Sequence, residues 1–187
     1  YEINDAALAA GRSRVESSLD RAVSRGKLAA DERDAVLGRI RFTTELEQLA
    51  DRDLVVEAIA EDEGAKRDLF ARLDKIVERP DAILASNTSS IPIMKIAMAT
   101  ERPDHVIGMH FFNPVPVLQL VELVPSLLTS PEVEDRARAL AASVRGKTDI
   151  RSQDRAGFVV NSLLIPYVLA AIRMLESGFA SAEDIDN

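Results

Sequence analysis

The chain has 187 residues, enough for one full domain and part of a second, with 47% hydrophobic and 29% charged residues, a globular balance. A formal charge of −8 argues against nucleic acid or anionic membranes as partners, and the absence of cysteine excludes disulfides, thiolate metal sites and a cysteine nucleophile. Two histidines leave no His-rich metal site, and no apolar run reaches the roughly 20 residues that span a bilayer, so a cytoplasmic protein without a metal is expected.

In chain order, Leu8, Val15, Leu19, Ala22 and Val23 recur at helical spacing, and Gly26 closes that helix. A shorter helix starts at Asp31, with Val36, Leu37 and Ile40 on one side. "RIRFTT" reads as a brief strand, and Thr44 with Glu47 as a capping box for a short helix. "DLVVEAIA" (53–60) is rich in β-branched residues, as a buried strand requires. The helix that follows places Leu69, Leu73 and Ile76 on one face and ends before Pro80. "AILAS" is another strand, "PIMKIAMA" a short helix, and "HVIGMHFF" and "LQLVELV" are strands. "SPEVEDRARALAASVRGK" is a helix with Val133, Ala137, Leu140 and Val144 inward, and "TDIRS" is an edge strand. Strands alternating with amphipathic helices predict an α/β domain with a largely parallel sheet.

After Gly157 the pattern changes. "GFVVNSLLIPYVLAAIRMLESG" is a helix apolar on most sides, kinked at Pro166 and stopped by Gly178. A helix apolar nearly all round must be buried, so a second, helical domain is expected to open here, with the boundary at residues 152–157. The first residues lack an initiator methionine and run straight into a helical pattern, and the last begin a helix and stop. Both ends read as cut.

Four polar residues stand out in "SNTSSIPIMKIAMATERPDHVIGMHFFNPVPVLQLVEL" (86–123). About five residues separate its last two strands, too few for a parallel crossover, so they should form an antiparallel hairpin. A turn centred on Pro116 pairs His110 with Glu122. A carboxylate beside an imidazole selects its tautomer and favours its protonated form, the usual setting of a histidine acid/base. The alternative is a buried pair that only sets strand register. "SNTSS" follows a strand, where open α/β sheets bind ligands, and its hydroxyls could equally cap the next helix. Asn113, before Pro114, stands at a favoured turn position.

"SNTSS", "HFFNPVPVLQLVEL" and "GFVVN", in this order and spacing, resemble the L-3-hydroxyacyl-CoA dehydrogenases, most of all the bacterial 3-hydroxybutyryl-CoA branch. "DLVVEAIAED" and "ESGFASAEDID" extend the likeness over almost the whole chain. The resemblance implies a Rossmann-type domain over residues 1–156, largely parallel with an antiparallel edge. Residues 157–187 would then begin an all-α domain that builds a homodimer. It also implies interconversion of 3-hydroxyacyl-CoA and 3-ketoacyl-CoA with NAD, or NADP, in fatty acid or butanoate metabolism.

On this likeness His110 is the acid/base, Glu122 orients it, and Ser89 and Asn161 hydrogen-bond the substrate oxygen. Asn113, Ser89, Glu61 and Lys66 line the cofactor cleft, while Ser18, Arg25 and Lys66 hold coenzyme A. For Arg25 a solvated helix face explains the residue as well. The family's G-x-G-x-x-G fingerprint is missing, which implies a β-α-β unit before Tyr1, and Ala156 replaces the usual proline before "GF". Alternatives are a related hydroxy-acid dehydrogenase or a non-catalytic structural member of the superfamily.

Overall fold

The computed structural model describes residues 1–144 and 146–187, which divide into two compact units, 1–50 and 51–187. In the first unit, α1 (Asp5–Ser24) begins at Asn4, whose side-chain oxygen accepts from the Ala7 N–H at 2.9 Å. It ends at Gly26, where φ of 65° suits glycine. α2 (Ala30–Gly38) is tied to it by Arg33, which meets Asp20 at 3.0 Å.

"RIRFTT" forms no strand. Beyond the Arg39 and Ile40 N–H bonds that close α2, its backbone takes one bond from Glu2 N–H to the Thr43 carbonyl, and a β-rich segment without a partner ladder stays irregular. The expected Thr44–Glu47 capping box is also absent. A 3₁₀ turn at Leu46–Leu49 starts from Glu45, and Thr43 Oγ1 accepts the Glu45 N–H at 3.0 Å.

The second unit is built on β1 (Leu54–Glu57), β2 (Ile83–Ser86), β3 (Val106–Phe111), β4 (Leu120–Pro125) and β5 (Thr148–Arg151), which lie side by side in that order. β1, β2 and β3 are parallel, β3 and β4 antiparallel, and β5 runs parallel to β4. Around them are α3 (Glu63–Ile76), α4 (Ile93–Ala97), α5 (Pro131–Ser143), α6 (Val160–Glu176) and α7 (Ala182–Asp186).

Strand period and register sort the sheet into two unlike faces. One is apolar: Ile83, Ala85, Ile107, Met109, Val121 and Leu123 pack with Val133 and Ala137 of α5. The other carries Glu57, Ser86, Gly108, His110 and Glu122. α4 crosses it at Gly108, where a Cβ would stand 2.8 Å from the Ile93 side chain and 2.9 Å from that of Val124.

Two helix faces differ from the sequence expectation. α5 buries Val133, Ala137 and Ala141, an i, i+4, i+8 ridge whose alanines let the helix sit close, while Leu140 and Val144 are exposed. Arg145, in the segment expected to close that helix, lies outside the described residues. α3 buries Lys66, Phe70 and Leu73, with Leu69 and Ile76 half-buried at the margin.

α6 differs more. It runs to Glu176 before Gly178 with Pro166 inside it, but none of its residues is buried, and Leu163 and Tyr167 are 71% and 75% exposed. An apolar helix needs a second layer, and the described residues leave α6 without a buried side chain. Among the described residues no helix is long and apolar enough to cross a membrane.

Gly108→Ala is expected to destabilise the fold by about 1–3 kcal/mol, because the new methyl must displace Ile93 or spread β3 from β4. Chemical denaturation of the two forms measures the difference.

Candidate active site

The β3–β4 hairpin brings His110 opposite Glu122, as the turn count required. His110 Nδ1 lies 2.7 Å from Glu122 Oε2. Facing a carboxylate, Nδ1 carries the proton and donates, so Nε2 is the nitrogen left for a ligand. Glu122 is fully buried and His110 is 7% exposed.

A carboxylate without water needs donors on both oxygens. The second oxygen of Glu122 accepts the N–H groups of Val159 at 2.9 Å and Val160 at 3.0 Å. Amides at a helix start have no partner within the helix, and the dipole there favours negative charge. The chain is turned into this position by two successive residues with positive φ, Gly157 at 83° and Phe158 at 46°. The Phe158 ring is buried edge-on to the imidazole at 5.6 Å, and Phe112 is tilted against it at 4.4 Å. Asn161, half-buried, is the second residue of α6, directly after the amides that bind Glu122.

The "SNTSS" segment leaves the end of β2 as a set of polar ties. Ser86 Oγ donates to Glu57 at 2.6 Å, and Asn87 Oδ1 accepts the Phe111 N–H at 2.8 Å, joining β2 to the end of β3. Glu61 Oε1 accepts the Thr88 hydroxyl and the N–H groups of Ser89 and Ser90, at 3.0 and 3.2 Å. The Ser89 hydroxyl is only loosely held, 3.4 Å from the same oxygen. These side chains do not cap α4, whose N-terminal amides go to Asp154 instead.

Glu61 is held well below the ordinary carboxylate value of 4.5, at about 2. Burial pushes it up, but the Thr88 hydroxyl, the Ser89 N–H and the Lys66 ammonium together outweigh that effect. Lys66 lies beneath Glu61 with 1% exposure, its Nζ 2.5 Å from Glu57 and 3.4 Å from Glu61. An ammonium so enclosed supports Glu61 and does not stand open to a ligand.

Asn113 is exposed in the hairpin turn, where Lys147 Nζ donates to the carbonyls of Val115 and Leu118. Ser18, half-buried, and Arg25, exposed, belong to α1 of the first unit. The hairpin thus unites His110, Glu122 and the start of Asn161's helix, while Ser89 belongs to the Glu61 cluster beside them.

Sequence reading did not single out Glu57, Phe112, Phe158 or Asp154. Glu57 had a signal, a carboxylate within an apolar strand. Phe158 and Asp154 had none, because their partners are 48 residues away (158 − 110) and about 60 residues away.

A mostly parallel sheet, covered on its apolar face and carrying polar groups beyond the ends of β1–β3, is the Rossmann-type class of α/β fold. The 3-hydroxyacyl-CoA dehydrogenase NAD binding domain matches residues 1–155, and the C-terminal domain of the same enzymes matches residues 157–187. The chain belongs to the 3-hydroxyacyl-CoA dehydrogenase family. It is 56% identical over 186 residues to a 3-hydroxybutyryl-CoA dehydrogenase of Mycobacterium tuberculosis, covering all of this chain and 65% of that protein. The chain thus spans less than two thirds of the length of these curated relatives, from 65% down to 39%.

The crystal structure of M. tuberculosis FadB2 superposes with a TM-score of 0.95 at 57% identity, over 98% of this chain and 64% of the other. That of (S)-3-hydroxybutyryl-CoA dehydrogenase PaaH1 from Ralstonia eutropha gives 0.93 at 42%, over 97% and 64%.

Because Glu61 is depressed in the folded protein, its contribution to stability is complete above the unfolded value and is lost as pH falls from 4.5 through about 2. The stability gap between wild type and Glu61→Gln should therefore be widest at about pH 6 and close towards pH 2, as urea titrations at stepped pH will measure.

Proposed function

We propose that this chain is the catalytic body of a 3-hydroxybutyryl-CoA dehydrogenase, interconverting the 3-hydroxy and 3-keto thioesters with NAD. The observation that carries the reading is the His110–Glu122 pair at 2.7 Å with Glu122 anchored on α6. The substrate class is taken from the similar 3-hydroxybutyryl-CoA dehydrogenases.

In the oxidative direction the 3-hydroxyl gives its proton to His110 Nε2 while the hydrogen on C3 leaves with its electron pair, and the alcohol carbon becomes a ketone. Bound NAD supplies the hydride acceptor. Glu122, held as an acceptor by two amides and the Nδ1 proton, keeps the imidazole in one tautomer and steadies the imidazolium that forms. The Ser89 hydroxyl and the Asn161 amide donate to the substrate oxygen, where negative charge grows in the transition state. Phe112 and Phe158 shield the imidazole from water on the sides they cover.

The groups at the strand ends suit one part of NAD. The Ser89 hydroxyl, the Glu61 carboxylate and the Asn113 amide match the hydroxyl-rich nicotinamide riboside, with Lys66 acting through Glu61. No glycine-rich phosphate loop occurs in the 187 residues, so these groups account for that end only. In the same reading residues 1–156 form the cofactor domain, with Ser18 and Arg25 of α1 holding coenzyme A. Residues 157–187 open a helical domain whose exposed apolar α6 is covered in a homodimer.

In the full-length protein, His110→Ala is expected to lower the rate of NADH oxidation with acetoacetyl-CoA by about 10²–10⁴-fold, with KM little changed. Wild-type rates in that variant would overturn the mechanism. Turnover of free acetoacetate with none of the thioester would overturn the substrate class, and faster reaction with NADPH than with NADH would overturn the cofactor choice.

A further inference from the structure

The segment between β5 and α6 is fastened at both ends. At its start the Ser152 N–H donates to the Leu123 carbonyl at 2.9 Å. At its end Phe158 lies against His110, and the next two amides bind Glu122. Between these points is Asp154, which has no part in the proposed chemistry. One of its carboxylate oxygens accepts the Ile93 N–H at 2.7 Å, and the other accepts the Met94 N–H at 2.8 Å.

These amides open α4, whose own N-cap residue, Pro92, offers no side-chain acceptor. The nearby hydroxyls are engaged elsewhere, Ser86 with Glu57 and Thr88 with Glu61. The cap therefore comes from a single residue, Asp154, about 60 positions away in sequence. Two charge-assisted bonds to a helix start are stronger than neutral ones and fix direction as well as distance.

The tie has consequences on both sides. Ser89 lies four residues before Ile93, in the segment that α4 anchors. Asn161 lies seven residues after Asp154, beyond the Gly157–Phe158 turn. We infer that Asp154 is a positioning residue that sets Ser89 against Asn161 and His110 by joining α4 to the segment leading into α6. Without its carboxylate, α4 loses its cap and the 152–158 segment is held only at its two ends. Movement there passes to the Val159 and Val160 amides and through Glu122 to the imidazole.

The kinetic half of this inference rests on the dehydrogenase reading; the coupling half does not. In the full-length protein, Asp154→Ala is expected to lower kcat with acetoacetyl-CoA by roughly ten- to a hundredfold while KM for NADH changes less than about twofold. Asp154→Asn, which keeps one acceptor oxygen, should recover part of the loss. Amide hydrogen exchange at Val159 and Val160 should quicken in Asp154→Ala and return towards wild type in Asp154→Asn. A lower melting temperature with unchanged kcat and unchanged exchange at those amides overturns the inference, leaving Asp154 as a cap for α4 alone. If the wild-type protein does not turn over acetoacetyl-CoA, the dehydrogenase reading fails, and the exchange at Val159 and Val160 still decides the coupling.

Discussion

A carboxylate with no water around it must find its hydrogen bonds within the protein, and the site is arranged around that requirement at Glu122. One oxygen is met by His110 across the hairpin, which orients the imidazole and leaves Nε2 outside that bond. The other is met by two amides at the start of α6, so the chain must enter that helix at one place and angle. The positive φ values of Gly157 and Phe158 are the local means of reaching it. A single buried charge thus ties a strand pair, an aromatic pair and a helix into one unit.

The second polar group on the same face follows the same logic with one more layer. Glu57 and Lys66 are both buried and paired, and a pair of this kind adds little stability over well-packed apolar side chains. Its visible consequence is at the surface, where Lys66 sits under Glu61 and helps keep that carboxylate ionised. Glu61 in turn gathers three consecutive residues after β2 and so defines the path of the chain around Ser89. The opposite face of the sheet, against α5, has no such groups among its core residues and provides apolar burial.

Much of this was legible in the residues. The hairpin count located the His110–Glu122 pair because antiparallel strands on a short turn have a constant sum of partner numbers. The strands from "DLVVEAIA" to "TDIRS" were legible because β-branched runs between turn residues leave few other readings. Errors fell where a local pattern lacked a tertiary partner. "RIRFTT" had the composition of a strand but no edge to pair with, and Leu140 and Val144 matched helical spacing but not the side where the sheet lay. The family likeness puts Lys66 at a ligand, and the structure adds what no local pattern shows, that Glu57 and Glu61 enclose its ammonium.

By itself the sequence determined most of the helices and the five strands, the antiparallel register that joins His110 to Glu122, and the family to which the motifs belong, because each depends on spacing along a short stretch of chain. Tertiary structure alone decided what completes the coordination of those side chains. The amides of Val159 and Val160 on Glu122, Asp154 on α4, and Lys66 beneath Glu61 all join residues far apart or on different elements. No local pattern encodes such pairs; they follow from which buried charges remain to be satisfied once the sheet has formed.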